Sequence, residues 1–145
     1  MGELQAAASV RWQGFGGEVK GASGKLHAPT ATQAELGGPG GGTNPEELFA
    51  AAQANCFTST LTALARARAL PLDCIETHVT TRLEWTTGHG DHRLGTTTLR
   101  VGIASTAPWE QIRALVADAA EECPICRATA GSVPLQVELG PLPAG

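Results

Sequence analysis

The chain has 145 residues, of which 42% are hydrophobic, and a formal net charge of −4. Without a cluster of Lys or Arg it lacks the basic footprint that nucleic acids and anionic membranes require. No apolar run reaches the roughly 18 residues of a membrane-spanning helix, and the first residues lack the basic-then-apolar layout of a secretory signal. We therefore expect a single domain over residues 1–145, located in the cytoplasm, with no nucleic-acid partner and no membrane partner.

The first third of the chain alternates loosely and is punctuated by glycines. This pattern predicts three short strands in a meander, over residues 7–13, 17–22 and 25–28. Residues 29–42 contain five glycines and few large apolar side chains, so we predict a loop that leads from the sheet to a helix.

A long, alanine-rich helix is predicted over residues 43–70. Asn44 can cap it, Pro45 suits the first helical position, and Glu47 completes an approximate capping box with Asn44. Pro71 ends the helix.

This helix has two faces of different character. Phe57, Leu61 and Leu64 form an apolar stripe. A second face holds small or weakly polar residues, namely Phe49, Ala52, Gln53, Cys56, Ser59, Thr60 and Ala63. We predict that both faces are buried, and that the small side lets another backbone approach, such as a second copy of the same helix.

The second half of the chain predicts a long antiparallel hairpin and a second helix. The hairpin comprises residues 72–87 and 92–105, joined by a glycine turn. The helix covers residues 108–122, with Thr106 as its cap, and is interrupted at Cys123. A short helical turn over 125–130 and a last strand over 134–139 follow. The fold class is therefore α+β.

Four cysteines are the candidates for chemistry, and the residues alone leave their roles open. Cys56 is either a buried small hydrophobe or a reactive thiol, and reactivity needs a nearby donor or positive charge. Cys123 and Cys126 form a C-x-x-C pair, in which zinc would require two further ligands, with His78, His89 and His92 as the available histidines. Cys74 is interpreted as a core residue of its strand.

Two motifs in this chain resemble those of the OsmC/Ohr family of organic hydroperoxide resistance proteins. They are LGGPGGGTNPEELFAAAQANCF and the later CPICRATAG, and the predicted order of elements also matches along nearly the whole chain. The glycine loop and Phe49 are closer to the Ohr branch. The resemblance implies an intertwined homodimer, in which antiparallel sheets wrap two long central helices and both active sites lie at the subunit interface.

The resemblance also implies a reaction and its residues. Cys56 corresponds to the peroxidatic cysteine, Cys123 to the resolving cysteine, and Glu46 to the family's acidic partner. The implied enzyme is a thiol peroxidase that reduces organic hydroperoxides through a Cys56 sulfenic acid and a Cys56–Cys123 disulfide. It uses no bound cofactor and no metal; an external dithiol, such as the dihydrolipoyl group of a lipoylated protein, reduces the disulfide.

Helix geometry bears on the position of Glu46. Ten residues separate it from Cys56, which corresponds to roughly 15 Å along one helix. The two side chains therefore cannot meet within one helix, and Glu46 is expected to serve the Cys56 site of a partner subunit.

The chain departs from the family pattern at two positions. Phe15 stands where Ohr proteins carry the arginine that activates the thiolate, and Arg11, Lys20 and Arg127 are the candidate replacements. Cys126 stands where the motif usually has Ser, and it either competes as a resolving thiol, adds a second disulfide option, or is passive. The missing arginine keeps an alternative function open, in which a divergent relative binds a small apolar ligand at the dimer interface with little or no peroxidase activity.

Overall fold

A computed structural model describes residues 1–86 and 90–142. The chain divides into two compact units, residues 1–48 and 49–145. None of the described helices is both long and apolar enough to cross a bilayer. Thr87 and His89, which belong to the predicted hairpin and its turn, lie outside the described residues.

The first unit is built on a three-stranded antiparallel meander. Its strands are β1 (Ala8–Gln13), β2 (Gly16–Gly21) and β3 (His27–Ala31), in the order β1-β2-β3. Gly17 explains part of the glycine content, because a Cβ at this position would lie 1.8 Å from the Arg11 carbonyl oxygen of β1. The predicted meander is confirmed, with β3 shifted a few residues towards the loop.

The loop after β3 is more ordered than its composition predicts. It contains one turn of 3-10 helix at Ala34–Leu36, and Thr43 forms an isolated parallel bridge with Thr30 of β3. Helix α1 (Pro45–Ala67) then begins within this unit. Asn44 caps it as predicted, because the Glu47 amide donates to Asn44 Oδ1 at 2.8 Å. The capping box is not closed as expected, since the Glu47 carboxylate accepts from Thr43 Oγ at 2.7 Å.

The second unit contains the rest of α1, two sheets and two further helices. These elements are β4 (Cys74–Thr80), β5 (Leu83–Glu84), β6 (Arg93–Leu94), β7 (Thr97–Ala104), α2 (Trp109–Glu122), α3 (Pro124–Thr129) and β8 (Leu135–Pro141). Strands β5 and β6 form a small antiparallel pair, and the larger sheet has the order β4-β7-β8. The α+β class is confirmed.

Strand β7 is the centre of the larger sheet. It pairs antiparallel with β4, as the hairpin predicts, and parallel with β8. A parallel neighbour requires a long crossover connection, and α2 and α3 supply it between β7 and β8. The cap of α2 was predicted wrongly: Pro108 occupies the N-cap without a side-chain hydrogen bond, and Ser105 Oγ accepts from the Ala107 amide nearby.

The core of the second unit lies between the sheet and the helices. Its largest fully buried side chains include Phe57 and Leu61 of α1, Leu99 of β7, and Ile112 and Leu115 of α2. Burying each of these side chains contributes about 1.5–3 kcal/mol relative to exposure. Cys123 and Cys126 belong to the same core.

The two faces of α1 behave differently from the prediction. Gln53, Phe57, Leu61 and Ala65 are its buried residues. By contrast, Ala52, Ser59 and Ala63 on the small-residue face are exposed in the single chain. The prediction that both faces are buried is therefore wrong for one protomer by itself.

Candidate active site

Cys56 lies in the middle of α1, one position before the fully buried Phe57. It is half-buried and packs against the core of the second unit. The Cys56 carbonyl accepts a hydrogen bond from Thr60 Oγ1 one turn later at 2.9 Å. Cys56 is thus anchored by a rigid element.

Cys123 occupies the break between α2 and α3. Its amide closes α2 by donating to the Ala119 carbonyl at 2.9 Å, and its carbonyl accepts the first bond of α3 from the Arg127 amide at 2.9 Å. Its ψ of 118° lies outside the helical region, as expected for a residue that precedes Pro124. Pro124 therefore accounts for the end of α2 before Cys123 and for the start of α3 after it.

The fold brings Cys56 and Cys123 together. Cys56 of α1 packs against the core cluster that contains Cys123 of the α2–α3 junction, and each thiol shifts the pKa of the other. All four cysteines of the chain are free thiols.

Burial dominates the electrostatics of this pair. It raises the pKa of the Cys56 thiol, the hydrogen bond from the Ile125 amide opposes this rise, and the neighbouring Cys123 adds to it. Burial likewise raises the pKa of Cys123, with the Cys126 amide opposing. Within the described residues of the chain, no cation contributes to the pKa of Cys56.

The structure places Phe15 and the candidate replacements for the family's arginine as follows. Phe15 lies in the turn between β1 and β2 and is 63% exposed. Lys20 pairs with Glu18 at 3.1 Å, which neutralises its charge locally. Arg127 lies in the last turn of α3. Arg11 is an exposed residue of β1. Among the described residues, none of these three cations contributes to the pKa of Cys56.

Glu46 has its described contacts within the first unit. It lies in the first turn of α1, in the first unit, where Gln33 Nε2 donates to its Oε2 at 3.2 Å. It lines a surface groove of about 410 Å³ together with apolar side chains that include Trp12 and Leu36. A carboxylate therefore borders an apolar groove in this unit.

Gln53 is a site residue that the sequence reasoning placed on the wrong face. It is 1% exposed, its Nε2 donates to Cys126 Sγ at 3.7 Å, and its Oε1 has no partner among the described groups. The spacing of four to Phe57 and eight to Leu61 would have assigned it to the buried stripe. It fastens the C-x-x-C segment to α1.

Two other sequence interpretations change. Cys74 is exposed rather than part of the core, because Ile75 and Val79 occupy the inward positions of β4 and Cys74 alternates with them. Metal binding finds no support, since no group of three or more His, Cys, Asp or Glu side chains suited to a metal occurs in the part of the chain that the structure describes. His78 instead contacts Glu76 at 2.6 Å.

Comparisons with known proteins identify the family of the chain. A family model described as OsmC-like protein matches residues 38–138. Organic hydroperoxide resistance protein OhrA of Bacillus subtilis is 35% identical over 99 residues, which cover 67% of each chain. The organic hydroperoxide resistance protein of Xanthomonas axonopodis pv. citri is 34% identical over 118 residues, covering 79% of each chain.

Solved structures give the same result. An organic hydroperoxide resistance protein OsmC of Legionella pneumophila superposes with a TM-score of 0.84 at 31% identity, covering 97% of this chain and 99% of that one. OhrB of Bacillus subtilis superposes with a TM-score of 0.77 at 31% identity, covering 94% and 98%. The family inferred from the two cysteine motifs is confirmed: the chain belongs to the OsmC-like family and is related to its organic hydroperoxide resistance proteins.

Proposed function

We propose that this protein is a thiol peroxidase that reduces organic hydroperoxides to alcohols. The observation that carries the proposal is the packing of Cys56 of α1 against the core cluster that contains Cys123, where each thiol shifts the pKa of the other. A buried cysteine needs no thiol neighbour for packing, whereas a peroxidatic cysteine needs one to resolve its sulfenic acid. Names of the relatives, which are organic hydroperoxide resistance proteins, support the same activity.

The reaction proceeds in two steps on these residues. The Cys56 thiolate attacks the terminal oxygen of the hydroperoxide, so the O–O bond breaks, Cys56 becomes a sulfenic acid and the alcohol leaves after taking up a proton. The Cys123 sulfur then attacks the Cys56 sulfur, and water leaves as the disulfide forms. In sum, two thiols are oxidised and one hydroperoxide is reduced.

An external dithiol completes the cycle by thiol–disulfide exchange. The pair is reset without a bound cofactor, because a dithiol supplies two electrons and leaves as its own disulfide. A dihydrolipoyl group on a lipoylated protein is the proposed donor. Four free thiols fit a reducing compartment, and we place the protein in the cytoplasm on that basis.

We assign Glu46 to the site through a homodimer. About 15 Å of helix separates it from Cys56 of its own chain, so a second copy is the simplest source of a carboxylate at that thiol. Two features support a second copy: Ala52, Ser59 and Ala63 of α1 are exposed, and so is every residue of β1. Small side chains let two helices approach closely.

A second function is favoured by one specific observation. Burial raises the pKa of Cys56, and Phe15 takes the place of the activating arginine, so the thiol is poorly ionised at neutral pH. The groove lined by Trp12, Leu36 and Glu46 would then bind a small apolar ligand without turnover. The two functions differ in whether Cys56 reacts.

One experiment separates them. Reduced protein is incubated with cumene or tert-butyl hydroperoxide, and its disulfides are identified by peptide mass spectrometry. We expect one equivalent of peroxide to be reduced for every two thiols lost, with Cys123 in the disulfide that forms. Unchanged thiol content and unconsumed peroxide at millimolar concentration contradict the peroxidase and leave ligand binding as the function.

A further inference from the structure

The Cys123-Pro-Ile-Cys126 segment has the geometry of a disulfide-forming pair. Cys123 is the N-cap of α3 and Cys126 is the third residue of that helix. Residues three apart on a helix have Cα atoms about 5 Å apart, within the 4.4–6.8 Å that disulfides span. Their side chains interact in the reduced protein.

Cys123 is the thiol that neighbours both of the others. Three positions of α3 separate it from Cys126, Cys56 packs against the core cluster that contains it, and both thiols contribute to its pKa, whereas only Cys123 and the Ile125 amide contribute to that of Cys56 besides burial. Gln53 Nε2 donates to Cys126 Sγ at 3.7 Å and orients that sulfur from α1. Cys126 is thus placed to react with Cys123 rather than with Cys56.

We infer that Cys126 is a second resolving cysteine, which passes the disulfide from the Cys56–Cys123 pair to the Cys123–Cys126 pair. This inference rests on the proposed peroxidase function. After losing its proton, Cys126 attacks the Cys123 sulfur; the Cys123–Cys126 bond forms, the Cys56–Cys123 bond breaks, and Cys56 leaves as a thiolate that regains a proton. The exchange is electron-neutral and needs no further reactant.

The transfer has a consequence for turnover. Cys123 is 0% and Cys126 6% exposed, although Cys126 lines a surface groove of about 370 Å³ with Arg127 and Pro134, whereas Cys56 is half-buried. The exchange therefore stores the oxidation in the more buried pair of cysteines. It also releases Cys56 for a second peroxide before the external dithiol has acted.

The test uses the full chain and its Cys126→Ser variant. The matched control is Cys74→Ser, because Cys74 is exposed and takes no part in the proposed exchange. Reduced protein receives one equivalent of cumene hydroperoxide, is quenched with iodoacetamide at intervals and is digested with trypsin. Peptides 26–66 and 114–127 carry Cys56 and the Cys123–Cys126 pair, respectively. A Cys56–Cys123 bond therefore joins two peptides, while a Cys123–Cys126 bond leaves peptide 114–127 lighter by two hydrogens.

We expect the joined peptides to appear first and then to give way to the internally bridged peptide, with Cys56 alkylated again. In Cys126→Ser the joined peptides should persist, and Cys74→Ser should behave as wild type. If wild type instead keeps the joined peptides, with Cys126 alkylated at every time point, the disulfide relay, that is, the transfer of the disulfide to the Cys123–Cys126 pair, is overturned. The proposed peroxidase function would be unaffected.

A parallel oxidation with diamide tests the disulfide relay independently of the peroxidase function, because diamide oxidises dithiols without peroxide chemistry. A bridged 114–127 peptide in wild type and joined peptides in Cys126→Ser support the relay even if cumene hydroperoxide fails to react. Joined peptides in both proteins overturn it. Failure with the hydroperoxide alone counts only against the peroxidase.

Discussion

Gln53 and Cys126, which are 73 positions apart in the chain, meet in the core, where the amide nitrogen donates to the sulfur at 3.7 Å. This hydrogen bond connects the long helix α1 to the short helix α3 that follows Cys123. It connects the C-x-x-C segment to the helix that carries Cys56.

Removing the two proposed catalytic thiols should have distinct effects. We expect Cys56→Ser to lower peroxide consumption to the buffer background, because the attacking sulfur is gone. In Cys123→Ser, Cys56 should accumulate as a sulfenic acid, which dimedone traps and mass spectrometry detects. Cys74→Ser is the control and should retain wild-type activity. Full activity of Cys56→Ser would rule out the proposed peroxidatic residue.

The reactivity of Cys56 should rise with pH. Because burial raises its pKa, the thiol is mostly protonated at neutral pH, and its thiolate fraction grows about tenfold per pH unit below the pKa. We expect the rate of iodoacetamide labelling of peptide 26–66 to follow this rise. The same cysteine in urea-denatured protein provides the reference, and its curve should lie at lower pH. A native rate that is already level at neutral pH contradicts the prediction.

The Phe15→Arg variant tests whether a side chain at position 15 can influence the Cys56 thiol. A guanidinium beside Cys56 should lower its pKa and raise its labelling rate at neutral pH, about tenfold for each unit of pKa. Phe15 is 63% exposed, so the substitution should leave the folding free energy nearly unchanged. Phe15→Leu serves as the control. Equal rates in the two variants would show that the arginine's place lies elsewhere.

Asn44→Ala should destabilise α1 at its start. The Glu47 amide loses its acceptor at 2.8 Å, which corresponds to about 1 kcal/mol of unfolding free energy and about 4 °C in Tm. Gln111→Ala is the matched control, since it removes an exposed carboxamide from α2 that caps nothing. Thermal unfolding followed by circular dichroism measures both, and equal Tm values would contradict the cap's contribution.

The exposed small-residue face of α1 should be a dimer contact. We expect wild type to have the mass of two chains by light scattering, and Ala63→Arg to shift it towards one chain, because a bulky charge prevents close helix approach. Ala114→Arg on α2, an equally exposed position, is the control and should stay dimeric. A single-chain mass for the wild type removes the homodimer, and with it the assignment of Glu46 to the site.

Local patterns determined much of the fold. Asn44, Pro45 and Glu47 located the start of α1 because caps act through neighbouring backbone groups, and Pro124 located the break at Cys123 because proline restricts the residue before it. Alternation placed β4 and β7 in one hairpin. The resemblance of two motifs to those of the OsmC/Ohr family indicated the family, which the comparisons confirm.

The tertiary structure decided what depends on contacts between distant segments. Which face of α1 is buried, the parallel pairing of β8 with β7 and the exposure of Cys74 all follow from packing across the core. Cys126 could not be placed from the sequence, because its partner Gln53 lies on another helix and only folding brings the two together. The sequence alone determined which cysteines the chain carries and which elements hold them. That Cys56 lies in the same core as Cys123 and Cys126 came from the packing of α1 against the α2–α3 junction.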